Sequence, residues 1–169
     1  MPIADFLLPI EFKFPIQSAI GNRQSPTATI GLAMKVRLIK QFHFEAAHDL
    51  PTFPDGHKCR RLHGHSFRFD VIVEGEVDPA KGYLIDYGDI AKAADPLVRR
   101  LDHYYLNEVE GLANPTSENI ARWIFDHIKA SLPQLAAIVV YETCTSSCEY
   151  RGQLLRLCKG TRPSAPTNR

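Results

Sequence analysis

Along KVRLIKQFHFEAAH, Phe42, Phe44, Ala46 and His48 alternate with Gln41, His43, Glu45 and Ala47. A period of two puts the first set on one face of a strand and the second set on the other. In HGHSFRFDVIVEGEV the odd positions are His63, His65, Phe67, Phe69, Val71 and Val73, while most even positions are polar, so a second strand follows. Between them, DLPTFPDGHKCRR carries prolines and a glycine and makes a loop. The period then changes. In LIDYGDIAKAADPLVRRLDHYYLN, Ile90, Ala94, Leu97, Val98 and Leu101 keep helical spacing from about Asp86, and Pro96 is expected to kink or break that helix. PTSENIARWIFDHIKASL predicts a second helix, with Thr116 as N-cap and Ile120, Trp123, Ile124, His127 and Ile128 on its apolar face. LAAIVVYET predicts a short strand, and another is expected near EYRGQLLRL. The order strand, strand, helix, helix, strand, strand predicts an α+β fold, an antiparallel four-stranded sheet with two helices on one face.

The flanks break these patterns. Residues 1–33 hold Pro2, Pro9, Pro15 and Pro26, lack a clean period and end in the polar run GNRQSPTATIG. They are expected to be an N-terminal extension outside the main fold. Residues 34–158 form the expected domain, with Met34 at the start of a strand-like segment. Residues 159–169, KGTRPSAPTNR, are polar and proline-containing and are expected to be a disordered tail.

Composition narrows the partners. A chain of 169 residues suffices for one domain with a core. The formal net charge of +1 gives no basic field for nucleic acid, and no run reaches the length of a membrane helix, so neither partner is expected. The N-terminus lacks a basic secretory region, and its apolar stretch is cut by Pro9 and Glu11. Cys59, Cys144, Cys148 and Cys158 are therefore expected to be reduced thiols in a cytoplasmic protein.

The chemistry concentrates in CRRLHGH, residues 59–65. Residues two apart on a strand point the same way, so His63 and His65 present both imidazoles on one face. His48 closes the preceding strand on the parity of Phe44 and Ala46. A hairpin of the two strands lets all three converge. Three histidines leave one tetrahedral position of zinc open, the catalytic pattern; with Cys59 as a fourth ligand the site would be closed and structural. Glu142 follows LAAIVVY on the face of Ile138 and Val140, and an inward carboxylate needs a partner or a ligand. Asp102 and His103 adjoin at the end of the first helix. His43 is expected on the surface and His127 in helix packing; His57 sits in the loop, free to approach the site. Cys144 and Cys148 are expected to pack. Arg60 and Arg61 are either solvated charge or contacts for a phosphate or the thiol.

FHFEAAHDLP, GHKCRRLHGHSF, LIDYGDI, RLDHYYLN, NPTSENIA and ETCTSSCEYRG occur in this order between about Lys35 and Gly152. This series resembles the 6-pyruvoyl-tetrahydropterin synthase family, most closely its 6-carboxy-tetrahydropterin branch, which serves queuosine and other deazapurine biosynthesis. The resemblance implies the tunnel fold and a homohexamer, a dimer of trimers, with active sites at subunit boundaries. It implies Zn2+ on His48, His63 and His65, Cys59 as the catalytic thiol with Asp102 and His103 as its relay, and Glu142 as anchor for the pterin's guanidine-like edge. Thr116 is a further implied pterin contact. The implied reaction converts 7,8-dihydroneopterin triphosphate to 6-carboxy-5,6,7,8-tetrahydropterin, acetaldehyde and triphosphate. The C-x3-H-G-H spacing is shorter than in the family's animal pyruvoyl enzymes and favours the carboxy branch. The alternatives are a 6-pyruvoyl-tetrahydropterin synthase and a non-catalytic zinc module with one cysteine and three histidine ligands.

Overall fold

The computed structural model describes residues 33–152. The expected extension, apart from its last residue, the expected tail, and Cys158 lie outside the described residues. Two long strands dominate: β1, Lys35–His48, and β2, His63–Glu76. They pair antiparallel from Lys35↔Glu76 to His48↔His63. The alternation in both strands sets this register, because any one-residue slip would turn every apolar side chain to the wrong face. Phe42 stacks on Phe69 at 5.1 Å and Phe44 on Phe67 at 5.0 Å between ring centroids.

Helix α1, Tyr87–Leu101, starts at Asp86, whose carboxylate accepts from the Gly88 N–H. It buries Ile90, Ala94, Leu97 and Leu101. Helix α2, Ser117–Ile128, is capped by Thr116, whose hydroxyl accepts from the Asn119 N–H. It buries Ile120, Ala121, Trp123, Ile124, Phe125 and Ile128. Both helices share one core with the phenylalanine face of the sheet, which puts them on the same side. Pro96 does not break α1: it lies on the exposed face. The carbonyl it leaves without an intrahelical donor belongs to exposed Lys92, where solvent can satisfy it.

The sheet has five strands rather than the expected four, in the order β3-β1-β2-β4-β5. Strand β4 is Leu135–Tyr141, and β5 is Ser147–Tyr150. The additional strand β3, Tyr104–Tyr105, pairs parallel with β1 at Ala46 and Ala47. It is made where the chain leaves α1 and runs along the edge of β1. The His103 N–H donates to Glu45 O, and Asp102 Oδ1 accepts from the Glu45 N–H at 2.9 Å. Asn107 continues the seam with both amide groups, accepting from the Asp49 N–H and donating to Asp49 O. Two residues are too few to carry a period, so β3 left no alternation to read.

Candidate metal and substrate site

The hairpin register brings the histidines together. His48 faces His63 as a direct cross-strand pair, and His65 stands opposite Ala46. Gly64 keeps the strands close: a Cβ there would meet Ala46 O at 3.2 Å. One ligand atom from each of His48, His63, His65 and Glu142 lies within 4.8 Å of the others. Among the described residues this is the group of such donors, and Cys59 is not in it. A closed site with Cys59 as fourth ligand is therefore not formed.

Hydrogen bonds set the tautomers. His48 Nδ1 lies 3.0 Å from Pro115 O, and His63 Nδ1 lies 2.7 Å from Arg61 O. A carbonyl oxygen only accepts, so both Nδ1 atoms carry protons and both Nε2 atoms present lone pairs. Those two Nε2 atoms face each other at 3.2 Å. A proton between them would relieve the repulsion, but burial pushes the His48 pKa down, and the neighbouring His63 and His65 act in the same direction. Burial also lowers the pKa of His65, against a raising effect of Glu142. His65 Nε2 is buried and has no hydrogen-bond partner, although Glu142 Oε1 is only 3.4 Å away. Two lone pairs and a third ring nitrogen, buried and without a hydrogen-bond partner, all within 4.8 Å of one another, fit a divalent cation.

Glu142 sits just past β4 and is held by Ser117, whose hydroxyl donates to Oε2 at 2.6 Å. The start of α2 thus serves two residues at once: its Pro115 carbonyl orients His48 and its Ser117 hydroxyl orients Glu142. Neither Ser117 nor the Pro115 and Arg61 carbonyls stood out in the sequence. The adjacent serine in NPTSEN was the available signal for the first; backbone carbonyls leave none. The Thr116 hydroxyl is engaged as the N-cap.

Cys59 lies in a short 3-10 turn, Lys58–Arg60, and is half-buried. It lines a cleft of about 530 Å3 with Lys58, Arg61, Leu62, His63, His65, Glu142 and Thr143. His57 turns away from the site: it stacks on Phe53 at 4.2 Å and caps the turn by accepting from the Cys59 N–H. Asp102 and His103 are paired at 3.1 Å. The Glu45 N–H holds the Asp102 carboxyl below its usual range, and His103 adds to this. His103 has a φ of 62°, a left-handed conformation that costs a non-glycine residue about 1–3 kcal/mol. The pair does not lie beside Cys59. His103 lines a different cleft, with Glu45, Ala46, Ala47, Gly64, His65 and Ser66 at the edge of β1, and Cys59 is not part of it. Of the remaining expectations, His43 is exposed and the His127 ring packs on Trp123 at 4.1 Å. Cys148 packs against the core, and burial raises its thiol pKa. Cys144 does not pack: it is exposed in the turn between β4 and β5.

A long histidine-ended hairpin backed by two helices, with a metal-competent donor set beside a thiol, is the class that this fold and site define. The chain belongs to the 6-pyruvoyl tetrahydropterin synthase family, whose model matches residues 37–153. It is 47% identical over 119 residues to the 6-carboxy-5,6,7,8-tetrahydropterin synthase of Synechocystis sp., covering 67% of this chain and 91% of that protein. It is 42% identical over 100 residues to the dihydroneopterin monophosphate aldolase of Pyrococcus furiosus, covering 59% and 81%. The solved structure of Caenorhabditis elegans 6-pyruvoyl tetrahydropterin synthase superposes with a TM-score of 0.67 at 28% identity, covering 72% of this chain and 98% of that one. The α+β architecture is thus the tunnel fold of this family. No helix among the described residues is long and apolar enough to cross a membrane.

Proposed function

We propose that this protein is a zinc-dependent 6-carboxy-5,6,7,8-tetrahydropterin synthase. It converts 7,8-dihydroneopterin triphosphate to the carboxypterin with loss of acetaldehyde and triphosphate, a cytoplasmic step of queuosine biosynthesis. The observation that carries this reading is the convergence of three imidazole nitrogens and Glu142, beside a cleft that Cys59 also lines. The 47% identity to a relative of that name supports the choice of product. His48, His63 and His65 would hold the zinc, which when bound supplies Lewis acidity toward the side-chain hydroxyls.

The chain's own groups do the rest. Glu142, oriented by Ser117, accepts hydrogen bonds from the ring N–H and amino donors and fixes the pterin in the cleft. Cys59 moves a proton at the side-chain carbons. Asp102 holds the His103 imidazole for the complementary transfer. Because that pair runs along the edge of β1 and lines no cleft with Cys59, the working site combines the thiol of one copy with the Asp102–His103 pair of a second. This favours a homo-oligomer, in the family's manner a hexamer made of two trimers.

Two outcomes follow. Incubation with 7,8-dihydroneopterin triphosphate is expected to yield acetaldehyde in step with triphosphate, seen in an aldehyde-coupled dehydrogenase assay. Triphosphate release with a pyruvoyl side chain retained on the product, read by mass spectrometry, would rule out the carboxy assignment. Glu142→Ala is expected to fold and keep its zinc while losing about tenfold or more in pterin affinity, the worth of charge-assisted hydrogen bonds. Zinc lost together with pterin binding would make Glu142 a metal ligand instead.

A further inference from the structure

The turn KCRR surrounds Cys59 with three cations, and the structure gives them different surroundings. Arg60 is consumed by its own loop. Its Nη1 donates to Pro51 O at 3.0 Å and Phe53 O at 2.8 Å, and its Nε lies 3.3 Å from Asp55. Arg61 has extended backbone dihedrals, with φ −86° and ψ 148°, at the bend that joins the turn to β2. The Arg61 carbonyl is pinned to His63 Nδ1 at 2.7 Å, so the root of its side chain is fixed against the metal-site histidines. Lys58 and Arg61 both line the cleft that holds Cys59, His63, His65 and Glu142. Among the described residues, neither side chain makes an ion pair or a hydrogen bond.

We infer that Lys58 and Arg61 form the subsite for a polyphosphate group, the tail of the substrate. The inference rests on the pterin triphosphate reading given above and extends it to groups that the metal and Glu142 leave unserved. The cleft holds one carboxylate, which suits ring donors, and two cations without partners, which suit an anion. A guanidinium offers a planar fork of donors that matches phosphate oxygens two at a time, and a lysine adds a mobile point charge. A ligand with a donor-rich ring edge at one end and several phosphate charges at the other satisfies both groups in one pose. Arg60, held by its own loop, takes no part.

The test uses the full-length, zinc-loaded protein and two variants, Arg61→Gln and Lys58→Ala. Lys92→Ala removes the same charge from an exposed helix face and serves as control. Binding of inorganic triphosphate is measured by calorimetry, with zinc content determined before and after; KM and kcat are measured with dihydroneopterin triphosphate, and affinity with tail-less dihydroneopterin. Each variant is expected to bind triphosphate about tenfold or more weakly, with KM raised to match and kcat little changed. Affinity for dihydroneopterin should equal that of the wild type, as should every value for Lys92→Ala. Wild-type triphosphate affinity in both variants, or an equal loss for the tail-less pterin, would overturn the subsite. If Arg61→Gln does not fold, Lys58→Ala alone decides by the same readings. Triphosphate bound through Lys58 and Arg61 by a protein that does not turn over the pterin would sink the proposed reaction and leave the subsite. Turnover with unchanged triphosphate affinity in the variants would do the reverse.

Discussion

His65→Ala is expected to leave a folded protein that has lost most of its zinc and at least about 10³-fold in turnover, because Lewis-acid polarisation is worth several kcal/mol. His63→Ala should behave alike. His63 and His65 stand at the loop end of the β1–β2 hairpin and are only partly buried, so the fold does not depend on them. The metal-free proteins offer a sharper comparison. His65 Nε2 is buried without a hydrogen-bond partner, and an unsatisfied buried polar atom costs stability. Stripped of metal, His65→Ala should therefore melt at the same temperature as the stripped wild type or higher. With zinc, the wild type should gain and the variant should not. Elemental analysis and thermal melts of the four samples decide the matter; stoichiometric zinc in His65→Ala would refute the ligand set.

Cys59→Ala is expected to keep its zinc and lose about 10²- to 10⁴-fold in kcat, the usual worth of a positioned acid–base group. On the proposed ligand set the three imidazoles hold the metal, and the thiol lies outside their group of donors. A folded variant that had lost its zinc would instead make Cys59 a ligand. The separation of Cys59 from the Asp102–His103 pair adds a second readout. Cys59→Ala and His103→Ala should each be inactive alone. Unfolded and refolded together, they should regain activity, since some interfaces then join an intact thiol to an intact pair. Mixtures that stay inactive, although mixed oligomers form, would place both groups in one subunit's site.

Much of this was legible in the residues. Phe42, Phe44, Phe67 and Phe69 spell out a two-residue period, and the same period carries on to His48, His63 and His65, so strand parity alone aligned the three imidazoles. Asp86 and Thr116 marked both helix starts, because a cap is a local hydrogen bond between near neighbours. What escaped depends on contacts distant in sequence. The Pro115 carbonyl meets His48 across 67 positions, and Ser117 meets Glu142 across 25. Pro96 does not break α1, because the turn whose hydrogen bond it removes faces solvent. Asp102 and His103 were found as neighbours, but nothing local told that they would bind the Glu45 backbone at the edge of β1.

The turn at the start of α2 has a consequence for how such an enzyme could change its chemistry. Between Pro115, which steers a metal-site histidine, and Ser117, which steers the proposed ring anchor, there is a single residue. On the proposed assignment this stretch is a gauge block: it fixes how far the ring's mooring point stands from the metal, and so which carbon of the side chain comes to rest beside it. Lengthening or rotating that one turn would move the cutting position along the chain while leaving the histidines, the thiol and the strands of the hairpin as they are.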